Sequence, residues 1–328
     1  MNTGIISFIR RFVLFMLPML LLFLFWLVLD PFSMWHQAFP QAKRHESACD
    51  NKIDITMYER CQKSNHFNAF IMGNSKTMSF LASDWKSHIG QEAGVFNYGS
   101  PGESLLNILE KLREIEAKHD SIKDLLLVID SKLIHNTDNS DPDYAGPVYL
   151  KTPYHSKNNW VAYTGRGYYY FLKDFYFAHY MGWLIKGGNK KIEAGKEDCS
   201  NEELREDMEV KINADTAAWK THMGTPALIL RNATDTGISE TDRNYLAQIR
   251  QILDRQKTKT KVLILPEYKR EGISDKLLMN IRNAFGENAE VYDYSNKPSY
   301  ISNPLYYYDP AHCRPFVGRM ILEEVYKP

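Results

Sequence analysis

The chain has 328 residues, with 40 Lys and Arg against 40 Asp and Glu, so its formal net charge is zero. Proteins that bind nucleic acid carry a basic surface, and this charge balance therefore excludes any electrostatic argument for a nucleic-acid partner. The length is sufficient for one large domain or two small ones, with enough residues for a hydrophobic core.

The first element along the chain is an uncharged apolar run, residues 12–29, which is long enough to cross a bilayer as a helix. Arg10 and Arg11 precede it and Asp30 follows it, so the positive-inside rule predicts that the chain after the run lies outside the cytoplasm. A cleaved signal peptide is the alternative interpretation. The run is longer than the apolar part of such a peptide, and no small-residue cleavage site follows it, which favours an uncleaved anchor.

These features predict the organisation and location of the protein. Residues 1–29 form a cytoplasmic tip and transmembrane anchor, residues 30–66 form a polar neck, and residues 67–328 form the main domain. We therefore expect a single-pass protein of the cell membrane whose main domain is periplasmic or extracellular.

Beyond residue 66, short apolar segments alternate with amphipathic ones. The apolar segments predicted as strands are residues 67–73, 94–99, 122–131, 261–268 and 289–295. The amphipathic segments predicted as helices are residues 75–90, 104–119, 239–256, 273–286 and 316–326. Strands separated by helices indicate an α/β fold, a three-layer α/β/α arrangement with a five-stranded parallel sheet, as in flavodoxin-like proteins.

The alternation fails between about residues 137 and 226. This stretch begins with a segment dense in Asn, Asp and Pro, continues through an aromatic-rich segment and ends in a charged one. We interpret it as a lid-like region inserted into the main domain.

The four cysteines are Cys49, Cys61, Cys199 and Cys313. Disulfides persist outside the cytoplasm, and Cys49 and Cys61 bracket a short segment, which favours them as a pair. Cys313 is interpreted as a small buried side chain rather than a reactive thiol. Neither the cysteines nor the histidines have the spacing of a metal site, so we predict no metal and no cofactor.

The end of the first predicted strand carries the first candidate for chemistry. Gly73 ends the strand and is followed by Asn74, Ser75 and Lys76. Ligands bind beyond the carboxyl ends of parallel strands, which is where Ser75 would lie. A serine becomes a nucleophile only when a base takes its proton and a third group orients that base.

A base and an orienting carboxylate occur together near the other end of the chain. Asp309 and His312 stand three residues apart, in a Pro-containing segment before the last predicted helix. One tight turn would bring the carboxylate to one imidazole nitrogen and leave the other nitrogen facing outward. Taken alone, the pair favours a turn-capping Asp and a His at a helix start, because such pairs often arise by chance.

In chain order, three motifs together resemble the SGNH, or GDSL-like, hydrolase superfamily. Its Gly-Asp-Ser block corresponds to Gly73, Asn74 and Ser75, and its Asn-x-x-x-x-Gly loop corresponds to a segment that begins at Asn97 and ends at Gly102. Its final Asp-x-x-His block corresponds to residues 309–312. The resemblance covers most of the strand–helix framework and leaves out the insertion.

The resemblance implies a role for each matching residue. Ser75 would be the nucleophile, His312 its base and Asp309 the carboxylate that orients the base. The amides of Ser75 and Gly102 would donate to the oxyanion, each contributing about 3 kcal/mol to transition-state stabilisation.

One block of the superfamily is missing. The family's Gly-x-Asn-Asp block supplies a further oxyanion donor from its Asn, but this chain has Asp130, Ser131 and Lys132 after the third strand. A carboxylate would repel an oxyanion, so we expect Asp130 to cap a turn instead. Asn74 and Lys132 are the candidates to replace the missing donor in binding the substrate.

In lacking this block, the chain is similar to one branch of the superfamily. Membrane-anchored members that O-acetylate or deacylate exported polysaccharides also lack that block, and they carry a stretch that residues 306–315, YYYDPAHCRP, resemble. The resemblance implies a serine-dependent acyl-ester hydrolase or O-acyltransferase acting on a cell-envelope or exported glycan. Transfer would bring a multi-span membrane acyltransferase as partner.

The alternative is a catalytically silent module of the same fold that binds glycan or scaffolds an export complex. The absent Asn favours this alternative, whereas the intact Ser75, Asp309 and His312 favour an enzyme. Hydrolysis and transfer differ only in whether water or a sugar hydroxyl accepts the acyl group, and both stay open.

Overall fold

The computed structural model describes the chain in seven stretches, residues 3–29, 58, 61–100, 102–135, 205–224, 237–270 and 272–327. The chain divides into two compact units. The first contributes helix α1, and the second contributes all the other described elements.

Helix α1, Thr3–Leu29, is the described element of the first unit. Its segment Gly4–Leu24 is long and apolar enough to cross a membrane, since 21 residues of helix rise about 31 Å. The helix begins before the predicted run because residues 5–11 contain no Gly or Pro, and it therefore includes Arg10 and Arg11. A signal sequence would share this character, so the uncleaved anchor and its orientation stay predictions.

The second unit contains the predicted five-stranded parallel sheet. Its strands are β1 Phe67–Gly73, β2 Gly94–Asn97, β3 Asp124–Ile129, β4 Lys259–Ile264 and β5 Ala289–Asp293. They lie in the order β2-β1-β3-β4-β5, and every neighbouring pair is parallel. This is the strand order of flavodoxin-like sheets, in which successive strands are added first on one side of β1 and then on the other, so that the order reverses between β1 and β3.

Helices alternate with the strands, as the sequence pattern predicts. Those of the second unit are α2 Ala82–Ile89, α3 Leu105–Ala117, α4 Ser131–His135, α5 Glu206–Ala214, α6 Thr216–Met223, α7 Glu240–Gln256, α8 Asp275–Phe285, α9 Pro298–Ile301 and α10 Pro315–Val325. Serine caps explain three of the starts: Ser104, Ser239 and Ser274 each accept a hydrogen bond from the backbone amide three residues on. The predicted helix over residues 75–90 divides into a 3₁₀ helix, Ser75–Ser79, and α2, because Phe80 adopts an extended conformation.

Both faces of the sheet are covered by helices. Ile71, Leu126 and Val128 belong to a core that also contains buried side chains of α2 and α10. The residues that alternate with them, such as Phe70 and Leu125, are completely buried as well, under the layer of α3, α7 and α8. Each such side chain stabilises the fold by about 1.5–3 kcal/mol, and a sheet buried on both faces requires the continuous apolar runs seen in the sequence.

The described end of the predicted insertion packs into this second unit. Ile212 on α5 and Trp219 and Met223 on α6 are buried in the core that includes α10, and Trp219 Nε1 donates to the Tyr307 carbonyl at 3.2 Å. Residues 136–204 and 225–236 lie outside the described residues, and so does the lid-like character predicted for them. Cys61 is disulfide-bonded, and its predicted partner, Cys49, also lies outside the described residues.

Candidate active site

Ser75 lies just past the carboxyl end of β1, at the place where the strand order reverses. Gly73 ends the strand with φ +146°, and a Cβ there would lie 2.1 Å from the Val128 carbonyl oxygen, so only glycine fits. Asn74 then caps the 3₁₀ helix, its Oδ1 accepting from the Lys76 amide at 3.1 Å. The close approach of β1 to β3 at Gly73 thus determines where the 3₁₀ helix that starts with Ser75 begins.

A small antiparallel hairpin presents the histidine. Strands β6, Tyr307–Asp309, and β7, His312–Cys313, are joined by Pro310 and Ala311. Asp309 Oδ1 accepts hydrogen bonds from the amides of Ala311 and His312 at 2.9 and 3.1 Å. His312 Nδ1 lies 2.8 Å from each carboxylate oxygen of Asp309. The three-residue spacing therefore forms the tight turn that it predicts, although the hairpin strands themselves were not expected.

Serine and histidine meet although they are 237 residues apart in the chain. Ser75 Oγ lies 2.8 Å from His312 Nε2. When Nδ1 carries the proton it donates to Asp309, and Nε2 then accepts from the Ser75 hydroxyl. The three predicted catalytic residues thus form a continuous chain of hydrogen bonds, and this geometry allows the imidazole to take the serine proton.

Buried contacts hold the hairpin against the serine. Ser79 Oγ, in the 3₁₀ helix, donates to the Cys313 carbonyl at 2.8 Å, and the Tyr268 amide donates to the Pro310 carbonyl at 2.8 Å. Gly318 on α10 lies so close to the Ser79 carbonyl that an added Cβ would approach it to 1.8 Å. Positioning therefore comes from the 3₁₀ helix, from the loop after β4 and from α10 together.

Asp309 remains a carboxylate in this setting. Partial burial alone would raise its pKa, but the hydrogen bonds from His312 and the Ala311 amide, together with the charge of Arg205, hold the pKa below its usual value. Arg205 Nη1 lies 3.9 Å from Asp309 Oδ2, and both side chains are partly exposed. An ionised Asp309 is the acceptor that a protonated Nδ1 requires.

The loop after β2 runs beside the serine. Its Ser100 amide donates to the Gly73 carbonyl at 3.0 Å, and Gly99 lies against Thr77, where a Cβ would approach Oγ1 to 2.0 Å. Gly102 adopts φ +64°, in the region that favours glycine. The structure thus brings the Gly102 loop to the Ser75 helix, while the role of the two amides as oxyanion donors stays a prediction.

Asp130, which follows the third strand where the resemblance would place the missing block, is fully engaged. Its Oδ1 accepts from the Leu133 amide at 2.7 Å and caps α4, as we expect from the sequence. Its Oδ2 accepts from Asn74 Nδ2 at 3.0 Å and lies 2.9 Å from Lys76 Nζ. The negative charge is therefore compensated next to the site.

The two candidates for the missing oxyanion donor lie in different surroundings. Asn74 is buried and donates to Asp130. Lys132 is exposed on α4. Their predicted part in substrate binding stays untested by this geometry.

The sequence did not reveal one part of the site, an ion cluster directly behind Ser75. Lys76 is 3% exposed, and its Nζ lies 2.7 Å from Glu267 Oε1 as well as 2.9 Å from Asp130 Oδ2. Burial alone would lower the pKa of Lys76, but the two carboxylates raise it above its usual value. The only signals in the sequence were a lysine just after the first predicted strand and a glutamate near the end of the fourth, and nothing there paired them.

Cys313, beside His312, is completely buried, and this burial raises the pKa of its thiol to about 12. It is therefore a neutral packing side chain at physiological pH, as the sequence predicts. Within the described stretches, no three His, Cys, Asp or Glu side chains are grouped as a metal site requires.

Comparison with known proteins adds no identity to this geometry. No protein-family model matches the chain, and no curated protein matches it. Any assignment of function must therefore come from the chemistry of the residues described above.

Proposed function

We propose that the protein is a serine-dependent acyl-ester hydrolase or O-acyltransferase of the SGNH type. The observation that carries the proposal is the hydrogen-bonded chain from Ser75 Oγ to His312 Nε2 and from His312 Nδ1 to Asp309. Its position beyond the carboxyl ends of a doubly wound parallel sheet supports the same conclusion, since ligands bind there in such folds. The motif resemblance to the superfamily supports it independently.

The first half-reaction forms an acyl-enzyme. Ser75 Oγ attacks the carbonyl carbon of an ester while its proton passes to His312 Nε2, and Asp309 stabilises the resulting imidazolium. The tetrahedral intermediate then collapses: the bond to the leaving alkoxide breaks, and Nε2 returns the proton to that oxygen. The acyl group is left as an ester on Ser75.

The second half-reaction regenerates the serine. Water or a sugar hydroxyl gives its proton to Nε2 and attacks the acyl carbon, and the departing Ser75 oxygen recovers that proton. Water yields a free carboxylic acid, and a sugar hydroxyl yields a new ester. In both half-reactions, the amides of Ser75 and Gly102 would stabilise the oxyanion by about 3 kcal/mol each.

The proposed substrate is an acylated glycan of the cell envelope or an exported glycan. Helix α1 would anchor the protein in the membrane with the catalytic domain outside the cytoplasm. Acyl transfer would couple it to a multi-span membrane acyltransferase that delivers the acyl group. A catalytically silent glycan-binding or scaffold protein is the competing proposal, and it makes the opposite prediction for serine reactivity.

A fluorophosphonate probe tests this proposal, because it phosphonylates only an activated serine. We expect the wild-type protein to be labelled at Ser75, as identified by peptide mass spectrometry, and Ser75→Ala to be unlabelled while its fold is retained. Ser87→Ala, on the exposed side of α2, is the matched control and should label normally. A folded wild-type protein without label would contradict the enzymatic proposal and favour the scaffold.

The other two residues extend the test. His312→Ala should nearly abolish labelling, because the residues of such a triad act as a unit and their effects are not additive. Asp309→Asn should slow labelling by letting the imidazole adopt the wrong tautomer. If envelope-glycan acylation in a Ser75→Ala strain with normal protein level equals the wild type, the serine is not catalytic.

A further inference from the structure

Lys76, the residue after the proposed nucleophile, directs its side chain into the protein. Lys76 is buried, and its ammonium group lies between Asp130 and Glu267. We propose that Lys76, held by these two carboxylates, is a positioning residue that keeps Ser75 in place against His312. The inference rests on the proposed function and adds a part to its machinery.

Lys76 joins the ends of three adjacent strands. Ser75 and Lys76 follow β1, Asp130 follows β3 and Glu267 lies in the loop after β4. The lysine nitrogen is 2.9 Å from one carboxylate and 2.7 Å from the other. Charge-assisted hydrogen bonds of this length restrict geometry more than apolar packing does, so the start of the serine helix is fixed to the two strand ends beside it.

Glu267 extends this connection to the histidine. The next residue, Tyr268, donates its amide to the carbonyl of Pro310, at 2.8 Å. Pro310 lies in the turn between Asp309 and His312. A short path of hydrogen bonds and covalent bonds therefore runs from the residue after the nucleophile to the turn that carries its base.

The charges of the cluster explain why a lysine serves this purpose. Asp130 and Glu267 face the same nitrogen, and both would be buried next to each other without a cation between them. An apolar side chain at position 76 would fill the space but remove the cation that pairs with Asp130 and leave Glu267 with Arg270 alone, at the rim of the cluster. Buried ion clusters of this kind are better suited to defining one geometry than to adding net stability.

Saturation kinetics of phosphonylation separate positioning from mere structural support. The maximal rate of labelling at saturating probe depends on the Ser75–His312 geometry, whereas the probe concentration at half-maximal rate depends on binding. Lys76 is buried and does not face the probe. Its loss should therefore change the maximal rate of labelling and leave the probe concentration at half-maximal rate nearly unchanged.

The experiment uses the full-length protein in detergent and four variants, with each rate normalised to the folded fraction. For Glu267→Ala and Lys76→Met, we expect the maximal rate to fall about 10- to 100-fold, the size of loss expected when a reacting group is slightly misplaced. Glu267→Gln keeps an oxygen that can accept from Lys76 and should restore the rate to within about threefold of wild type. Lys261→Met, which removes a lysine paired with Glu290 at the far edge of the sheet, is the matched control and should not change the rate.

The outcomes are separable. If Lys76→Met does not fold, the two Glu267 variants carry the test alone. If folded Glu267→Ala has a wild-type maximal rate of labelling, the positioning role is overturned and the proposed function stays intact. The same holds if the maximal rate of Glu267→Gln does not exceed that of Glu267→Ala. A wild-type protein that is never labelled would overturn the proposed function and this inference together.

Discussion

Two buried lysines lie behind the candidate site, Lys76 after β1 and Lys111 behind the loop after β2. They differ in whether their partners are distant or near in the chain. Lys76 pairs with carboxylates from distant parts of the chain, and Glu267 is 191 residues away. Lys111 on α3 pairs with Glu103 and also donates to the Tyr98 carbonyl and the Ser100 hydroxyl, all within 13 residues. One lysine thus joins separate strand ends, and the other stabilises the internal conformation of a single loop.

The carboxylates of the two clusters differ in their ionisation. Burial alone would raise the pKa values of Asp130 and Glu267. Lys76, the Leu133 amide and Asn74 hold the pKa of Asp130 below its usual range, and Lys76 with the charge of Arg270 does so for Glu267. Complete burial raises the pKa of Glu103, although Lys111 opposes the shift. Glu103 has as many donors as Asp130, namely Lys111, the Ser104 amide and Asn107, so the opposite pKa shift follows from its complete burial and not from a lack of donors.

The largest expected effect is the loss of Lys76. Lys76→Met removes the cation that pairs with the buried Asp130 and leaves Glu267 with the more exposed Arg270, and breaking a buried ion cluster in this way destabilises a protein by about 3–5 kcal/mol. Urea unfolding of the domain near neutral pH measures this free energy. A loss below about 1 kcal/mol would show that the two carboxylates find other compensation.

Lys111→Met should cost less, about 1–3 kcal/mol, the range for leaving a buried polar group unsatisfied. The reason is that Glu103 can take up a proton, which its raised pKa already favours. The cost should therefore shrink as the pH is lowered, and parallel unfolding curves at neutral and mildly acidic pH measure this. An equal or greater cost at acidic pH would contradict the difference between the two clusters.

Acidification should change the stability contributions of the two clusters in opposite directions. Asp130 and Glu267 have lowered pKa values in the folded protein, so their contribution to stability is present above their unfolded values, 3.8 and 4.5, and is lost as the pH falls through the folded values. Glu103 has a raised pKa, so its contribution is present below 4.5 and is lost as the pH rises through the folded value.

Two neutral variants measure these contributions. Asp130→Asn should make the free energy of unfolding less sensitive to acid, and Glu103→Gln should make it more sensitive, each by at most about 1.4 kcal/mol per pH unit. Unfolding free energies measured across the acidic range give both slopes. If the slope of unfolding free energy against pH changes in the same direction in both variants, the opposite pKa shifts of Asp130 and Glu103 are refuted.

The smallest effect is expected at the rim of the Lys76 cluster. Arg270 Nη1 lies 2.9 Å from Glu267 Oε2, but the Arg270 side chain is 53% exposed. Water screens such a pair, so Arg270→Ala should change stability by less than about 1 kcal/mol. Thermal unfolding is sufficient to detect a larger change, which would mean that Arg270 is part of the buried network.

Much of the fold could be predicted from the sequence because its signals are local. The five strands and the helices α2, α3, α7, α8 and α10 follow from apolar runs and amphipathic periodicity, and serine caps mark several helix starts. The helices α4, α5, α6 and α9 were not predicted. The Asp309–His312 turn was likewise visible, since a carboxylate three residues before a histidine forms its hydrogen bonds within one turn. The division of the 75–90 segment into a 3₁₀ helix and α2 was missed. The apolar residues of this segment keep a helical spacing throughout, whereas the backbone at Phe80 is extended.

The sequence by itself determined the candidates Ser75, Asp309 and His312, but only the tertiary structure decided that they meet. The order of the strands, the docking of α5 and α6, and the pairing of Lys76 with Glu267 depend on contacts between residues far apart in the chain. Such contacts leave no periodic pattern, because a buried lysine and its carboxylate can be separated by any number of residues. Local hydrogen bonding and hydrophobic period are encoded in neighbouring residues, whereas the partner of a buried charge is selected only when the strand ends come together.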